Sequence, residues 1–543
     1  MYFFTTGLPP QQSFKYLVKH EEEQAGKRSS GRSTGTRSSL PSDRTNKAIK
    51  LTIARDQTCL INTIVAMEEY ARRARDLAVV PLLEVRFVNE VGTGEGPTRE
   101  FCDLVARELQ RRDLQLWRHE SQMEKDNVKE DEKQGAGAKK PVVNGVGNDG
   151  NGSRHSGGGQ ATKNTATEKD TTSYVNAPFG LFPAPSHDVH AHMGGGMEGE
   201  TSPFDSLYQT YVFLGRMFAF ALVSDRTMDM TLSAPLRRAI LHGGGSNLSS
   251  SSGLTRGVGS NINDTVTTAS TALTSSVKEA LAILENVDPV MCRHLTRFQH
   301  IAEERASMIA AGCVIDEKHP SLCVQGAPIE MLCLDFTLPG KDEFELRENG
   351  AEVSVTLENL GEYVQRVCQV MVLQPLEMAA KGIRKGMSSM FDPDHLRCFN
   401  EDELELLLCG TPAVWTTHDL HEHVRTNHGF SRDSIAVQQL LSILSEFQAN
   451  EQRQFLKFVT GSPRLPVGGL GALRPSLTVV RKSDGSGSSN SSGSSSSGVV
   501  ASSLPSASTC THYLKLPEYS TKEEMREKLL LAISEGQGAF HLS

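Results

Sequence analysis

Three polar stretches cut this chain into apolar blocks, and any fold must loop them out. About Glu120 to Tyr174 the sequence turns charged and then Gly/Asn/Ser/Thr-rich. Gly243 to Ser276 follows the "HGGGSNLSSSSG" start, and "SDGSGSSNSSGSSSSG" fills Ser483 to Gly498. Such segments bury too little apolar surface to offset the entropy of ordering them. They share no fixed period, which excludes a repeat architecture. The blocks between them alternate helix-like and strand-like patterns. The expected fold class is therefore α+β, one or two domains carrying disordered insertions.

The blocks read clearly. "DQTCLINTIVAMEEYARRARD" (Asp56–Asp76) has apolar residues at helical spacing, "PLLEVRFVN" (Pro81–Asn89) reads as a strand, and "PTREFCDLVARELQ" (Pro97–Gln110) as a helix opening on proline. "SLYQTYVFLGRMFAFALVSD" (Ser206–Asp225) is strongly apolar, but Gly215, Arg216 and its polar residues argue against a membrane span. No signal peptide is evident at "MYFFTTGLPP", and residues 21–46, with the basic "GKRSSGRSTGTR", read as linker before a nuclear-import signal. The expected location is cytoplasmic and/or nuclear. A formal net charge of −9 disfavours general nucleic-acid binding.

Chemistry-bearing motifs mostly fail on spacing. "EVGTGEGPTREF" (Glu90–Phe101) joins a strand to a helix, but Gly92, Gly94 and Gly96 give GxGxG followed by proline, not GxGxxG, and no GK[ST] follows. It reads as a tight connection needing unusual backbone angles. His418, His421, His423 and His428 are spaced wrongly for three imidazoles on one helix face, and "SHDVHAH" (Ser186–His192) is a loop cluster. No metal or cofactor is expected. The ten cysteines contain no CxxC pair, and Cys102, Cys368 and Cys409 sit in apolar contexts, as structural thiols in a reducing compartment do. No GxSxG, HExxH or kinase motif occurs.

Cys510 differs from the others. It follows the small, uncharged "SAST" and precedes "THYLKLPEY", which alternates like a strand. That places it at an accessible loop–strand junction, with His512 two residues on and on the same face if the segment is extended. A nearby imidazole favours the reactive thiolate. On this pattern alone, a reactive thiol and a surface cysteine without a role both remain open.

The wider segment "LPSASTCTHYLKLPEYSTKEEMREKLLLAISEGQGAFHLS" resembles the C-terminal end of HECT-type ubiquitin ligases. "LEVRFVNEVGTGEGPTREF", "FLGRMFAFALVSDRTMDMTLS", "FNEDELELLLCGTP", "GFSRDS", "FLKFVTGSPRLPVGG" and "LTVVRK" follow in that family's order. "TGSPRLPVGG", "YLKLPEYS", "FHLS" and "YFFTTGL" resemble the ubiquitin-fusion-degradation subfamily. Its members carry a long N-terminal recognition region absent here, so a shortened or incomplete sequence is expected.

The resemblance implies a bilobal domain. Residues 1–50 would be an upstream segment, 51–408 a mostly helical N-lobe with an E2-docking subdomain near 287–370, and 413–543 an α/β C-lobe with its insert near 483–503. Cys409, Gly410, Thr411 and Pro412 would form the hinge. It implies an E3 ubiquitin transferase whose Cys510 accepts ubiquitin from an E2 as a thioester and passes it to a substrate lysine for degradation. Thr509 flanks the nucleophile, His512 is a candidate modulator, and Phe540 serves the later transfer step. E2 docking would use Met291, Leu295, Leu332, Tyr363 and Val367, with ordinary core packing the alternative for each. Implied partners are an E2, ubiquitin and a protein substrate, with neither nucleic acid nor membrane. Two departures stand out: His512 replaces the family's usual asparagine, and the three inserts are foreign to it. An inactive E2- or ubiquitin-binding module and a ubiquitin-directed thiol hydrolase are the competing readings.

Overall fold

The computed structural model describes residues 49–55, 58–77, 83–90, 94–119, 173–185, 206–243, 276–316, 319–482 and 503–535. The N-terminal linker, most of the three polar stretches, Gly92, the histidines of "SHDVHAH" and Phe540 lie outside them.

The chain opens with a parallel pair, β1 (Ile49–Ile53) and β2 (Leu83–Phe87), in register Ile49↔Leu83 through Ile53↔Phe87. Parallel strands cannot share a hairpin, so helix α1 (Cys59–Leu77) makes the crossover. Alternation turns Ile49, Leu51 and Ile53 inward. After β2, Gly94 adopts φ 98°, which favours glycine, and α2 (Glu95–Glu108) begins at the next residue.

Helix α3 (Leu207–Ser224) is buried along most of its length, as its nearly continuous apolar sequence requires. Helix α4 (Ala234–His242) and a helical stretch over 276–285 lead to α5 (Pro289–Ala310), N-capped by the Asp288 carboxylate. A short hairpin of β3 (Thr337–Leu338) and β4 (Lys341–Glu345) precedes α6 (Leu360–Cys368), which runs through a π turn into α7 (Gln374–Met387). Helices α3 and α7 meet backbone to backbone. A Cβ on Gly215 would sit 2.0 Å from the Ile383 carbonyl oxygen, and one on Gly386 2.0 Å from that of Val212.

Helix α8 (Glu401–Cys409) starts at an Asn400/Glu403 capping box and stops at Gly410, φ 72°. Beyond it a separate core begins. Buried apolar residues from Ile49 to Cys409 form one cluster, and those from Ala413 to Ile533 form another. The second core is built by α9 (Thr417–His423), α10 (Ile435–Glu446), α11 (Ala449–Thr460) and α12 (Lys522–Glu535) around a four-stranded sheet. Its strands are β5 (Arg425–Asn427), β6 (Thr478–Arg481), β7 (Ser506–Ser508) and β8 (Tyr513–Leu516), in spatial order β5-β6-β8-β7. Only β7 runs antiparallel to its neighbour. Each core holds one of the two tryptophans: Trp117 Nε1 donates to the Leu109 carbonyl, Trp415 Nε1 to that of Leu444. The architecture is a bilobal α+β fold. Among the described residues, no helix is long and apolar enough to cross a membrane.

Candidate functional site

Cys510 lies in the turn between β7 and β8, and it is exposed. "SAST" is a loop only in part: Ser506, Ala507 and Ser508 form β7, paired with Lys515, Leu514 and Tyr513. Ser-Ala-Ser has little strand propensity of its own, and the ladder to β8 supplies what the side chains do not. Residues 509–512 close the turn, with the Thr511 N–H donating to the Ser508 carbonyl at 3.3 Å. Thr509 is partly buried beside the thiol-bearing residue.

Of the ten free cysteines, only Cys313, Cys333 and Cys510 are exposed. Cys59, Cys102, Cys323, Cys368 and Cys409 are buried, and burial pushes the thiols of Cys102, Cys368 and Cys409 up to about 12. Those three stay protonated and inert at neutral pH.

His512 is not on an extended segment. Its φ is 53°, in the left-handed region, and it is 1% exposed. Its Nδ1 lies 2.6 Å from the Pro475 carbonyl oxygen, and its Nε2 contacts the Arg99 guanidinium. A carbonyl can only accept and a guanidinium can only donate. The imidazole is therefore neutral, protonated at Nδ1, with the Nε2 lone pair turned to Arg99. That lone pair is turned to Arg99.

Arg99 comes from the second turn of α2, in the larger lobe, 413 residues from His512. Gly94 reaches the same place: a Cβ built on it would lie 3.7 Å from Cys510 Sγ. Gly94 thus packs beside the thiol, with a φ of 98° that glycine adopts without a side-chain clash. Around this contact the lobes are pinned by charge. Asp229 accepts from Arg464 Nε at 2.7 Å and Arg453 Nη2 at 2.5 Å, and Lys457 Nζ meets Asp103 at 2.5 Å. Burial raises the Asp229 carboxyl pKa, but Arg453 and Arg464 outweigh it and hold the group below the usual carboxylate range. Sequence reading missed Arg99, Asp229 and Arg464, because no local pattern links residues so far apart.

The connector at 409–412 is held at both ends. Cys409 Sγ donates to the Met230 carbonyl at 3.0 Å in the first core, while Thr411 exchanges backbone hydrogen bonds with Leu465 in the second. Gly410 between them cannot accept a side chain, since its Cβ would meet the Leu465 carbonyl oxygen at 2.4 Å.

The five residues expected to dock an E2 do not form one exposed face. Leu295, Tyr363 and Val367 are 1%, 3% and 0% exposed, and Tyr363 packs edge-on against Phe336 with centroids 5.6 Å apart. Helix α5 turns Leu295 into the core, and helix α6 turns Tyr363 and Val367 there. Met291 and Leu332 are partly buried against the same core. The exposed apolar side chains are their neighbours one position earlier, Val290 at 52% and Met331 at 73%. His418, His421 and His423 lie on α9, with His418 Nε2 3.3 Å from Glu422. Among the described residues, no cluster of His, Cys, Asp and Glu is arranged to hold a metal ion.

The family described as "HECT-domain (ubiquitin-transferase)" matches residues 165–543. The chain is 34% identical over 85% of its length to E3 ubiquitin-protein ligase UPL4 of Arabidopsis thaliana, covering 24% of that protein. It is 32% identical over 85% of its length to E3 ubiquitin-protein ligase TRIP12 of Danio rerio, covering 19%. Against ubiquitin fusion degradation protein 4 of Saccharomyces cerevisiae it is 27% identical over 85%, covering 24%. The chain thus spans about a fifth to a quarter of the length of these relatives.

Proposed function

From the premise that this chain belongs to the HECT-domain ubiquitin-transferase family and resembles its ubiquitin-fusion-degradation members, we propose that it is an E3 ubiquitin transferase with Cys510 as nucleophile. The observation that carries this is the exposed thiol in the turn that follows the small residues of β7, facing Gly94 of the other lobe. Cys510 thiolate attacks the carbonyl of an E2–ubiquitin thioester. The tetrahedral intermediate expels the E2 thiolate, and ubiquitin is left on Cys510. A lysine amine of the substrate then attacks that carbonyl, loses its proton, and releases Cys510 as thiolate. One thioester replaces another in the first step, and the second forms the more stable amide. Covalent catalysis divides the transfer into two easier steps.

The remaining parts divide accordingly. Small side chains at Ser506, Ala507 and Ser508 leave room for the ubiquitin tail, with Thr509 beside the nucleophile. His512 shapes the turn and is not the base. Residues 409–412 act as the hinge between an N-lobe ending at 408 and a C-lobe from 413, since a short two-ended connector is where a swing is absorbed. E2 docking falls to the exposed Val290 and Met331 next to Met291 and Leu332. Phe540 serves discharge, and the product is marked for degradation in the cytoplasm or nucleus. A His512 Nε2 turned to Arg99 weighs against a thiol hydrolase, which needs a base aimed at the sulfur.

Incubating the chain with E1, E2, ubiquitin and ATP, followed by a nonreducing gel, tests the proposal. A reducible ubiquitin adduct is the expected result. Binding without an adduct would establish the inactive module instead, and cleavage of ubiquitin chains the hydrolase.

A further inference from the structure

Residues 94–99 of the larger lobe tie down the turn that carries Cys510. Gly94 packs beside Cys510 Sγ. Arg99 Nη1 meets His512 Nε2, and Arg99 Nη2 donates to the Arg474 carbonyl at 3.3 Å. Within the smaller lobe the same residues are already joined. His512 Nδ1 donates to the Pro475 carbonyl at 2.6 Å, and the Thr478 N–H donates to the His512 carbonyl at 3.0 Å. One guanidinium thus holds both the nucleophile's turn and the 474–475 segment bonded to it. Gly461, at the end of α11, packs over the same part of α2: a Cβ there would lie 3.6 Å from Arg99 Cβ and 3.2 Å from the Gly96 carbonyl oxygen. The stem of Arg99 therefore lies in the lobe junction, not free in solvent.

The two nitrogens of His512 do different work. Nδ1 bonds within the smaller lobe, and Nε2 crosses to the larger one. The two steps at Cys510 make opposite demands on that crossing. Loading brings the thiol to a thioester carried on another folded protein, so the hinge swings and the crossing opens. Discharge needs the ubiquitin thioester held still while a slender lysine side chain approaches. A turn fastened to the larger lobe supplies that, and fixed reacting geometry is a large source of rate. We infer that Arg99 is a positioning residue for discharge, acting through His512 Nε2 and the Arg474 carbonyl. The inference rests on Cys510 being the transfer nucleophile. His512→Asn isolates the crossing. Asparagine tolerates positive φ, so the backbone at φ 53° is kept. Its amide nitrogen falls where Nδ1 lies and still donates to Pro475, but no atom reaches the Nε2 position.

The test measures both steps on the full chain. Labelled ubiquitin is loaded through E1 and E2 and the loading rate recorded. E1 is then stopped, and discharge onto free lysine is followed. Arg99→Ala and His512→Asn should load within about twofold of wild type and discharge roughly tenfold more slowly, the equivalent of one charge-assisted hydrogen bond. Arg99→Lys keeps the charge but offers one ammonium for two acceptors, and should discharge at an intermediate rate. The double variant Arg99→Ala/His512→Asn should discharge no more slowly than Arg99→Ala alone, because both substitutions remove the same bond. Arg481→Gln, at an exposed arginine paired with Glu518, should leave both steps unchanged. Only chains already carrying ubiquitin are followed in the chase, so a loss of folded protein does not enter the discharge rate. Equal slowing of loading and discharge, wild-type discharge in either single variant, or losses that multiply in the double variant would overturn the inference. Failure of the wild type to load ubiquitin would instead strike at the assignment of Cys510.

Discussion

Replacing Tyr363 with alanine should unfold the protein more easily and should not act as an interface mutation. The ring is 3% exposed and meets Phe336 at 82° with centroids 5.6 Å apart, in the core that holds Leu360, Val364 and Val367. Truncating a buried aromatic to alanine costs about 3–5 kcal/mol, of which the edge-on ring pair supplies about 0.5–1.5 kcal/mol. Against a typical net stability of about 5–15 kcal/mol, that is a large fraction. Burial also pushes the phenol up to about 12, so the hydroxyl stays neutral across any practical assay range. Urea unfolding followed by tryptophan fluorescence reads the effect. In a Trp415→Phe background the remaining Trp117 reports on the larger core, close to the Arg118–Asp288 ion pair that anchors the start of α5. The midpoint should fall with Tyr363→Ala, and excess E2 should not restore ubiquitin loading. Met331→Ala, at a 73% exposed side chain, should leave the midpoint within about 0.5 kcal/mol, as surface substitutions usually do, while raising the E2 concentration needed for loading. Wild-type stability in Tyr363→Ala, together with loading rescued by excess E2, would refute the burial argument.

Three further outcomes are expected. Gly386→Ala should cost at least about 1–3 kcal/mol by forcing α3 and α7 apart, because the added methyl meets the Val212 carbonyl at 2.0 Å; an unchanged urea midpoint would contradict that contact. Asp229→Asn should loosen the lobes, losing about 2 kcal/mol of charge-assisted bonding and speeding amide exchange across 464–475; its carboxyl is held below the unfolded value near ~3.9, so this stabilisation is present above that pH and is lost as the pH falls through the lower folded value, and unchanged exchange would show that the two arginines do not pin the lobes. Deleting Ser483 to Gly498 should leave loading largely intact, since the length of a connection changes closure entropy only logarithmically; a folded variant that cannot be charged would make the segment functional.

Much of the fold was legible because local patterns and tertiary packing agree. The helix read at Asp56–Asp76 is Cys59–Leu77, and the strand read at Pro81–Asn89 is Leu83–Phe87. Gly94 does need the unusual backbone angle expected of the glycine connection. The failures share a cause. Strand β7 owes its existence to pairing with β8, and "SAST" by itself resembles any loop. Met291 and Leu332 carry apolar letters like their neighbours Val290 and Met331, and helix phase and turn direction, which the letters do not encode, leave the neighbours the more exposed. His512 would share a face with the thiol on an extended segment, but the segment is not extended there: His512 has a left-handed φ and its ring meets Arg99. Nothing within a few residues of either side chain announces that partner.

The central claim is that one thiol carries ubiquitin, and the sharpest measurement compares substitutions at the three exposed cysteines. Wild type, Cys510→Ala and a Cys313→Ala/Cys333→Ala variant are incubated with E1, E2, labelled ubiquitin and ATP, and any adduct is resolved without reductant and mapped by mass spectrometry. All three positions are exposed, so accessibility cannot explain a difference among them. Wild type and the double variant should form a reducible adduct mapping to the peptide that contains Cys510, and Cys510→Ala should form none. A reducible adduct on Cys510→Ala, or its loss in the double variant while Cys510 is intact, would contradict the account.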